Sequence, residues 1–191
     1  MKPPEDHSIF AQAIWFAAEA HCNTYRKQRP VPYIIHPMEV AVIVSNITVD
    51  PEVLAAAVLH DVVEDTSAEI EDVERMFGSR VAAMVAAETE DKMKDRDSSQ
   101  TWMERKTRAL EYLENTADKN VQIIALADKL SNMRSLSRMF RQDPENFLEG
   151  FNQKDSRKVK WFYLRALEAL SSFRDTDEWK ELSDLVREVF G

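Results

Sequence analysis

The sequence is poor in glycine and has a single cysteine. Only 3 glycines occur in 191 residues, well below the average usage of roughly 7%. A sheet-rich fold with many tight turns would need more glycine, so the composition favours helices. The lone Cys22 excludes an intrachain disulfide and a zinc site built on several thiolates, which suits a reducing compartment.

Long apolar runs and an excess of positive charge are also missing. No apolar segment approaches the roughly 20 residues that a membrane span requires, and the N-terminus lacks the apolar core of a signal peptide. The net charge is −9, from 25 basic and 34 acidic residues, whereas proteins that coat nucleic acid are normally basic. We therefore expect a cytoplasmic protein that binds neither membrane nor nucleic acid. A polyanionic small-molecule substrate would need a local basic patch or a metal.

Length and patterning predict one globular domain covering residues 1–191. Hydrophobic residues make up 44% and charged residues 31%, which is typical of folded chains. Apolar residues recur at helical spacing through most of the sequence, and proline, glycine and capping residues separate the segments. The pattern predicts a single all-α bundle of about eight to ten helices. It gives no indication of the oligomeric state.

Capping signals predict individual helix boundaries. Candidate helix starts are His7 or Ser8, Pro37, Asp50 with Pro51, and the possible capping boxes at residues 66–69 and 101–104. The first helix is expected to continue to residues 29–32, where two prolines force extended backbone. Gly78 is expected to end a helix. Residues 88–99, the most polar stretch, are predicted to form an exposed loop.

Polar residues interrupt this apolar pattern at the end of one predicted helix. His60 and Asp61 end the apolar run at residues 53–59, and helical spacing places them beside Glu64 and Asp65. Four ionisable groups at the end of a buried helix are costly unless something neutralises them. A divalent cation would neutralise them.

Two further interruptions occur elsewhere in the chain. Asp128 lies within a long apolar helical segment, and Asn132 and Ser135 follow on the same helix face at i+4 and i+7. His36 stands directly before Pro37, at the head of its own predicted helix. Each interruption also has a structural interpretation, because such residues can cap helices, pair with an arginine or be satisfied by backbone groups. The coincidence of all three favours a functional site.

A mixed set of imidazoles and carboxylates suits a divalent metal. Two of each close most of a coordination shell and favour manganese, iron or magnesium over a thiolate-rich structural zinc site. A bound ion can lower the pKa of its water and polarise a phosphoryl oxygen. Glu64 or Asp65, about one turn further on, could then handle the proton.

Several segments together resemble the hydrolase domain of the RelA/SpoT homologues, which belongs to the HD metal-dependent phosphohydrolase superfamily. These segments are residues 33–37 (Tyr-Ile-Ile-His-Pro), residues 56–66 (Ala-Ala-Val-Leu-His-Asp-Val-Val-Glu-Asp-Thr), Phe77 and Gly78 with Val81, and residues 126–136, with Ala20, His21, Arg26 and Lys27 upstream. The resemblance covers residues 10–136 in order. Longer members carry a synthetase domain and regulatory domains after this one, so we expect a stand-alone small alarmone hydrolase.

The resemblance implies an all-α HD-type fold, a single manganese ion and hydrolysis of the 3′-pyrophosphate of (p)ppGpp to GDP or GTP and pyrophosphate. The implied metal ligands are His36, His60, Asp61 and Asp128. Glu64 and Asp65 correspond to the catalytic acidic pair that orients or deprotonates the attacking water. The implied substrate-binding residues are Arg26, which would pack on the guanine, Lys27, Asn132 and Ser135.

The sequence departs from the family pattern near the expected nucleotide pocket. Residues 28–31 replace a slightly shorter turn, residues 87–92 replace a Gly-Val-Thr-Lys-Leu segment, and Ser131 replaces a histidine. Two alternatives therefore stay open: the same metal site acting on another nucleotide phosphate such as NADPH, or a non-catalytic nucleotide-binding module. Three arginines could add to a local basic patch, with a solvated surface preferred for the last: Arg134, Arg138 and Arg141.

Overall fold

Helices are the only regular elements of the computed structural model within the residues that it describes, which are 8–26, 30–90 and 96–191. The α-helices are α1 (Ile9–Ala20), α2 (Ile35–Ser45), α3 (Pro51–Leu59), α4 (Val62–Asp65), α5 (Ile70–Phe77), α6 (Ser79–Glu88), α7 (Ser98–Asn115), α8 (Lys119–Gln142), α9 (Ser156–Ala169) and α10 (Asp177–Phe190). A short 3-10 helix, Ser171–Phe173, follows α9. The all-α prediction is confirmed. In these ranges no helix combines the length and apolar character needed to cross a membrane.

The chain divides into two compact units, Met1–Thr89 and Glu90–Gly191. In the first unit, α3 packs against α1, α2 and α6, and its residues Val53, Ala55 and Leu59 are fully buried. Because these helices enclose α3, the chain leaves the last turn of α3 in the interior of the unit. In the second unit, α10 packs against α8 and α9, and α9 also packs against α7.

The first helix begins as predicted but ends earlier. The Ser8 hydroxyl accepts a hydrogen bond from the backbone N–H of Ala11 at 3.3 Å, which caps α1. At the other end, the backbone N–H of His21 donates to the Ala17 carbonyl at 3.0 Å, and that of Cys22 donates to the Glu19 carbonyl at 3.1 Å. Asn23 then takes a left-handed φ of 62°, a conformation that asparagine adopts more readily than most residues. The helix therefore ends at Ala20, before the two prolines of residues 30–32 are reached.

Acidic residues cap two helices where threonines were predicted to do so. Glu69 and Asp72 form the capping box of α5, and Thr66 instead follows α4, its hydroxyl donating to the Val62 carbonyl at 2.6 Å. Asp97 caps α7 by accepting from the backbone N–H of Ser99 at 2.8 Å. Both predicted boxes were wrong, because a nearby carboxylate supplied a stronger acceptor for the free backbone N–H groups.

The start of α3 and the end of α5 agree with the prediction, whereas α2 begins two residues before the predicted Pro37. Asp50 caps α3 by accepting from the backbone N–H of Glu52 at 3.0 Å, with Pro51 as the first helical residue. Gly78 ends α5 with a φ of 87°. A side chain is strained at such an angle, which explains why glycine occupies this position.

The polar stretch at residues 88–99 is not an exposed loop throughout. Glu88 ends α6, and Ser98 begins α7. Glu90 is largely buried and accepts hydrogen bonds from Arg105 at 2.8 Å and Lys106 at 2.6 Å. Residues 91–95 lie outside the described part of the chain. The exposed-loop prediction is therefore wrong at Glu90, where two cations stabilise a charge that the sequence pattern assigned to solvent.

The longest helix, α8, is tied to α10 by ion pairs. Arg134 donates two hydrogen bonds to Glu181, each of 2.6 Å. Arg141 donates to Glu188, with one contact of 2.7 Å. These carboxylates neutralise Arg134 and Arg141, so neither arginine supplies uncompensated charge to the basic patch that the sequence suggested.

Candidate metal centre

A short backbone pairing positions the segment that leads into α2. The backbone N–H of Arg26 donates to the Val31 carbonyl, and that of Tyr33 donates to the Thr24 carbonyl, both at 2.9 Å. Prolines in the returning segment favour extended backbone, which allows the two segments to run antiparallel. As a result, the Arg26 guanidinium lies 5.5 Å from the centre of the Tyr33 ring, within the range of a cation–π contact. Lys27 lies outside the described residues.

The packing of α2 on α3 brings two predicted metal ligands together. His36 is the second residue of α2, and His60 follows the last residue of α3. Both are buried, with 3% and 2% of their surface exposed. Their ring centres are 5.2 Å apart, and one nitrogen of each ring lies within 4.8 Å of the other.

The backbone fixes the tautomer of His60. Its Nδ1 lies 2.8 Å from the Ala57 carbonyl oxygen, and a carbonyl can only accept, so Nδ1 carries the proton. The lone pair is therefore on Nε2, which is buried and lies 3.1 Å from Oδ2 of Asp61. Two acceptor atoms at that distance repel each other unless a proton or a metal ion lies between them.

Asp61 is the point where the acceptor atoms converge. Its Oδ2 also lies 3.5 Å from Nε2 of His36. Two imidazole nitrogens and a carboxylate oxygen thus surround one small volume, and this donor set fits a divalent metal. We call His36, His60 and Asp61 the acceptor cluster.

Tyr33 is hydrogen-bonded to the acceptor cluster. Its hydroxyl donates to Oδ2 of Asp61 at 2.7 Å. Burial, and then the negative charges of Asp61 and Asp65, raise the pKa of Tyr33 far above its ordinary value. The phenol therefore keeps its proton and remains a donor to the carboxylate.

The predicted acidic pair lies on the short helix α4, directly after Asp61. The backbone N–H of Asp65 donates to the Asp61 carbonyl at 2.9 Å, so the two residues are one helical turn apart. Glu64 is half-buried and Asp65 is exposed. The structure thus places both residues on the helical turn that follows Asp61.

The remaining predicted ligand, Asp128, lies on α8 in the second unit. Its Oδ1 accepts from the Asn132 amide at 2.6 Å, and its Oδ2 lies 3.1 Å from Nζ of Lys129. The i+4 spacing brings Asp128 and Asn132 into contact, as predicted. Ser135, one turn further on, accepts a hydrogen bond from Arg138 at 3.0 Å. The two residues predicted to contact nucleoside therefore also orient other side chains of α8.

Two residues near the acceptor cluster had no predicted role. Tyr33 belongs to the motif that carries the resemblance, and its position three residues before His36 was the available signal, since residues at i and i+3 meet at a helix start. His21 was interpreted as a packing residue, and it is 3% exposed with its ring 4.8 Å from that of Tyr33. Burial, opposed by the charges of Asp61 and Asp65, lowers the pKa of His21, so its imidazole is held neutral.

Comparison with known proteins agrees with this arrangement. Residues 13–148 match the HD domain family. The guanosine-3′,5′-bis(diphosphate) 3′-pyrophosphohydrolase MESH1 of Xenopus tropicalis is 36% identical over 176 residues, which cover 90% of this chain and 88% of that protein. A probable guanosine-3′,5′-bis(diphosphate) 3′-pyrophosphohydrolase of Synechocystis sp. (strain ATCC 27184 / PCC 6803 / Kazusa) is 32% identical over 194 residues, which cover 97% of this chain and 25% of that protein.

A solved structure extends the similarity to the whole fold. It is described as a metazoan ortholog of SpoT that hydrolyzes ppGpp and plays a role in starvation responses, and it superposes with a TM-score of 0.76 at 28% identity. The alignment covers 97% of this chain and 98% of the other. The chain spans about a quarter of the Synechocystis protein, but nearly all of this structure. The resemblance found in the sequence is confirmed, and the chain belongs to the HD domain family of hydrolases.

Proposed function

We propose that this chain is a metal-dependent hydrolase that removes the 3′-pyrophosphate of (p)ppGpp and yields GDP or GTP and pyrophosphate. The observation that carries the proposal is the acceptor cluster, where Nε2 of His60 faces Oδ2 of Asp61 at 3.1 Å. The similarity to MESH1 and to the metazoan structure extends over most of each chain. We therefore assign the substrate named for these relatives to the metal site of this chain.

We propose Mn²⁺ as the metal and Asp128 as a fourth ligand beside His36, His60 and Asp61. Nitrogen and oxygen donors without thiolates suit manganese. Asp128 is half-buried, and the hydrogen bonds from Asn132 and Lys129 hold its carboxylate in one orientation. The bound ion would lower the pKa of a water and polarise a phosphoryl oxygen.

The acidic pair supplies the proton acceptor in this proposal. Glu64 and Asp65 follow Asp61 within one helical turn, so either carboxylate can receive a proton from the attacking water. The half-buried Glu64 is less solvated than the exposed Asp65. We therefore assign the larger catalytic effect to Glu64.

Nucleotide recognition is assigned to Arg26 and Lys27, and to Asn132 and Ser135 on α8. The planar Arg26 guanidinium already packs on an aromatic ring, and the same group can stack on a purine. Asn132 and Ser135 carry an amide and a hydroxyl, groups that can donate to and accept from a nucleoside.

We propose that residues 1–191 form one HD domain and that it acts in the cytoplasm. The family match spans residues 13–148 and so crosses the boundary between the two compact units. A single cysteine, Cys22, suits a reducing compartment.

The direct test is to incubate the purified chain with Mn²⁺ and ppGpp and to separate the products by anion-exchange chromatography. We expect GDP and pyrophosphate in equal amounts, with a strong loss in the Glu64→Ala variant. No pyrophosphate release above that of Glu64→Ala would overturn the proposal. Treatment with EDTA, followed by Mn²⁺, Mg²⁺ or Fe²⁺, identifies the preferred metal.

The same assay separates the two alternatives. Turnover of NADPH or simple nucleotides, without turnover of ppGpp, would keep the metal site and change the substrate. Tight binding of ppGpp without turnover at saturating metal would indicate a non-catalytic module.

A further inference from the structure

We propose that Tyr33 is a positioning residue of the metal centre, whose hydroxyl holds the Asp61 carboxylate in the orientation that binds the ion. The inference rests on the proposed metal site and deepens it. It concerns a residue outside the ligand set and outside the acidic pair. Its role is to restrict Asp61, without itself touching the metal or the substrate's reacting atoms.

The geometry of Asp61 Oδ2 is the first argument. The Tyr33 hydroxyl donates to this oxygen at 2.7 Å, and the same oxygen lies 3.1 Å from Nε2 of His60 and 3.5 Å from Nε2 of His36. A carboxylate oxygen has two lone pairs, so it can accept from a phenol and still bind a cation. A donor to the liganding oxygen limits rotation of the carboxylate and thereby orients the ligand.

The rigidity of Tyr33 is the second argument. Its ring packs against those of His21, with centres 4.8 Å apart, and His36, with centres 6.0 Å apart. Its backbone N–H is fixed to the Thr24 carbonyl. Packing and the backbone hydrogen bond hold Tyr33 in place. A donor that is held in place restrains the carboxylate to which it is hydrogen-bonded.

The contact with Arg26 gives the proposal a distinctive signature. The Arg26 guanidinium lies over the Tyr33 ring, 5.5 Å from its centre. A Tyr33→Phe substitution keeps the ring and removes only the oxygen. It should therefore weaken metal binding while leaving the KM for ppGpp at saturating Mn²⁺ within about twofold of wild type.

The test is calorimetric titration of Mn²⁺ into protein treated with EDTA and then freed of chelator, without any nucleotide. Tyr33→Phe should bind Mn²⁺ about 10-fold more weakly than wild type, in the range found when outer-shell partners of metal ligands are removed. The matched control is Tyr112→Phe, an exposed tyrosine on α7, which should not change the affinity. Raising the Mn²⁺ concentration should restore the activity of Tyr33→Phe, which it would not do for a folding defect. An affinity within twofold of wild type would overturn the proposal.

A second pair of variants decides the matter if Tyr33→Phe does not fold. His21→Phe keeps a ring against Tyr33 and should preserve Mn²⁺ affinity, whereas His21→Ala removes the support and should weaken it. Equal affinities for these two variants would contradict the proposal, as would a wild-type chain that binds no Mn²⁺.

The outcomes also separate this inference from the proposed function. Weak Mn²⁺ binding by Tyr33→Phe, with a wild type that binds Mn²⁺ but does not hydrolyse ppGpp, would support the positioning role and reject the substrate. Unchanged Mn²⁺ binding by Tyr33→Phe, with a wild type that does hydrolyse ppGpp, would do the reverse.

Discussion

Two buried polar clusters, one in each unit, differ in whether the carboxylate meets cations of the protein itself. In the second unit, Glu90 accepts hydrogen bonds from Arg105 and Lys106. Burial acts to raise the pKa of Glu90, but the charges and hydrogen bonds of these two cations outweigh it and hold that pKa below its ordinary value. We call these three residues the Glu90 cluster. Its cations belong to the protein.

The acceptor cluster in the first unit has the opposite character. Nε2 of His60 and Nε2 of His36 lie 3.1 and 3.5 Å from Oδ2 of Asp61, and no lysine or arginine is among these three residues. Two polar clusters, both largely buried, can therefore have different roles in the molecule. Removing the carboxylate from a cluster of buried cations leaves their charge uncompensated, whereas a cluster of imidazole nitrogens and a carboxylate oxygen fits a divalent cation.

The largest expected effect comes from removing the proposed ligand outside the acceptor cluster. Asp128→Ala should abolish Mn²⁺ binding and activity, because the coordination shell loses a charged ligand. Metal content measured by plasma emission spectroscopy on the purified variant checks this. A manganese stoichiometry equal to that of wild type would contradict the assignment of Asp128.

Substituting His60 and His21 compares a proposed metal ligand with a buried packing residue. His60→Ala should lower kcat by about a thousandfold, since metal catalysis supplies several kcal/mol. His21→Ala should be far milder, with about tenfold or less, because its imidazole supports Tyr33 and is assigned no metal contact. Steady-state kinetics at saturating Mn²⁺ measures both, and equal losses would mean that a ligand has been misassigned.

Breaking the Glu90 cluster should affect stability and leave the metal in place. Glu90→Gln removes the charge facing two partly buried cations and should lower the free energy of unfolding by about 3 kcal/mol. Urea denaturation measures this, with Glu104→Gln as the control, whose exposed pairs with Arg96 and Arg108 should contribute under about 1 kcal/mol. Loss of Mn²⁺ stoichiometry in Glu90→Gln would remove the distinction between the clusters.

The smallest expected effect is a pH dependence of that stability difference. The pKa of Glu90 is lower in the folded chain than in the unfolded chain. Its contribution is therefore complete above the ordinary glutamate pKa of about 4.3 and is lost as the pH falls through the folded-state value. The difference in unfolding free energy between wild type and Glu90→Gln should shrink from about pH 6 to about pH 3. A difference that stays constant or grows in acid would contradict this.

The helices and the His60–Asp61 part of the acceptor cluster were predictable from the sequence because both depend on local pattern. Apolar residues at helical spacing define α3, and the polar residues after its apolar run are visible as a break in that pattern. His36, the remaining member of the acceptor cluster, was predicted from the resemblance of its motif to the family. No pattern within the sequence indicates how closely two histidines approach, and that distance comes from the packing of α2 on α3.

Other features were beyond sequence reasoning for physical reasons. The C-terminal end of α1 and the caps of α5 and α7 depend on competition between neighbouring hydrogen-bonding groups, which composition does not rank. Glu90 appeared solvated because its partner cations, Arg105 and Lys106, lie 15 and 16 residues further along the chain. The role of Tyr33 depends on a hydroxyl meeting a carboxylate 28 positions away, and only tertiary structure supplies such a contact.

The attachment of α8 to α10 has a consequence for how much of the chain the chemistry requires. The family match ends at residue 148, and every proposed ligand precedes that point. Yet Glu181 and Glu188, the partners of Arg134 and Arg141, come after it. A fragment truncated at residue 148 would keep every proposed metal ligand. It would lose the two ion pairs that hold α8, the helix that bears Asp128, to α10.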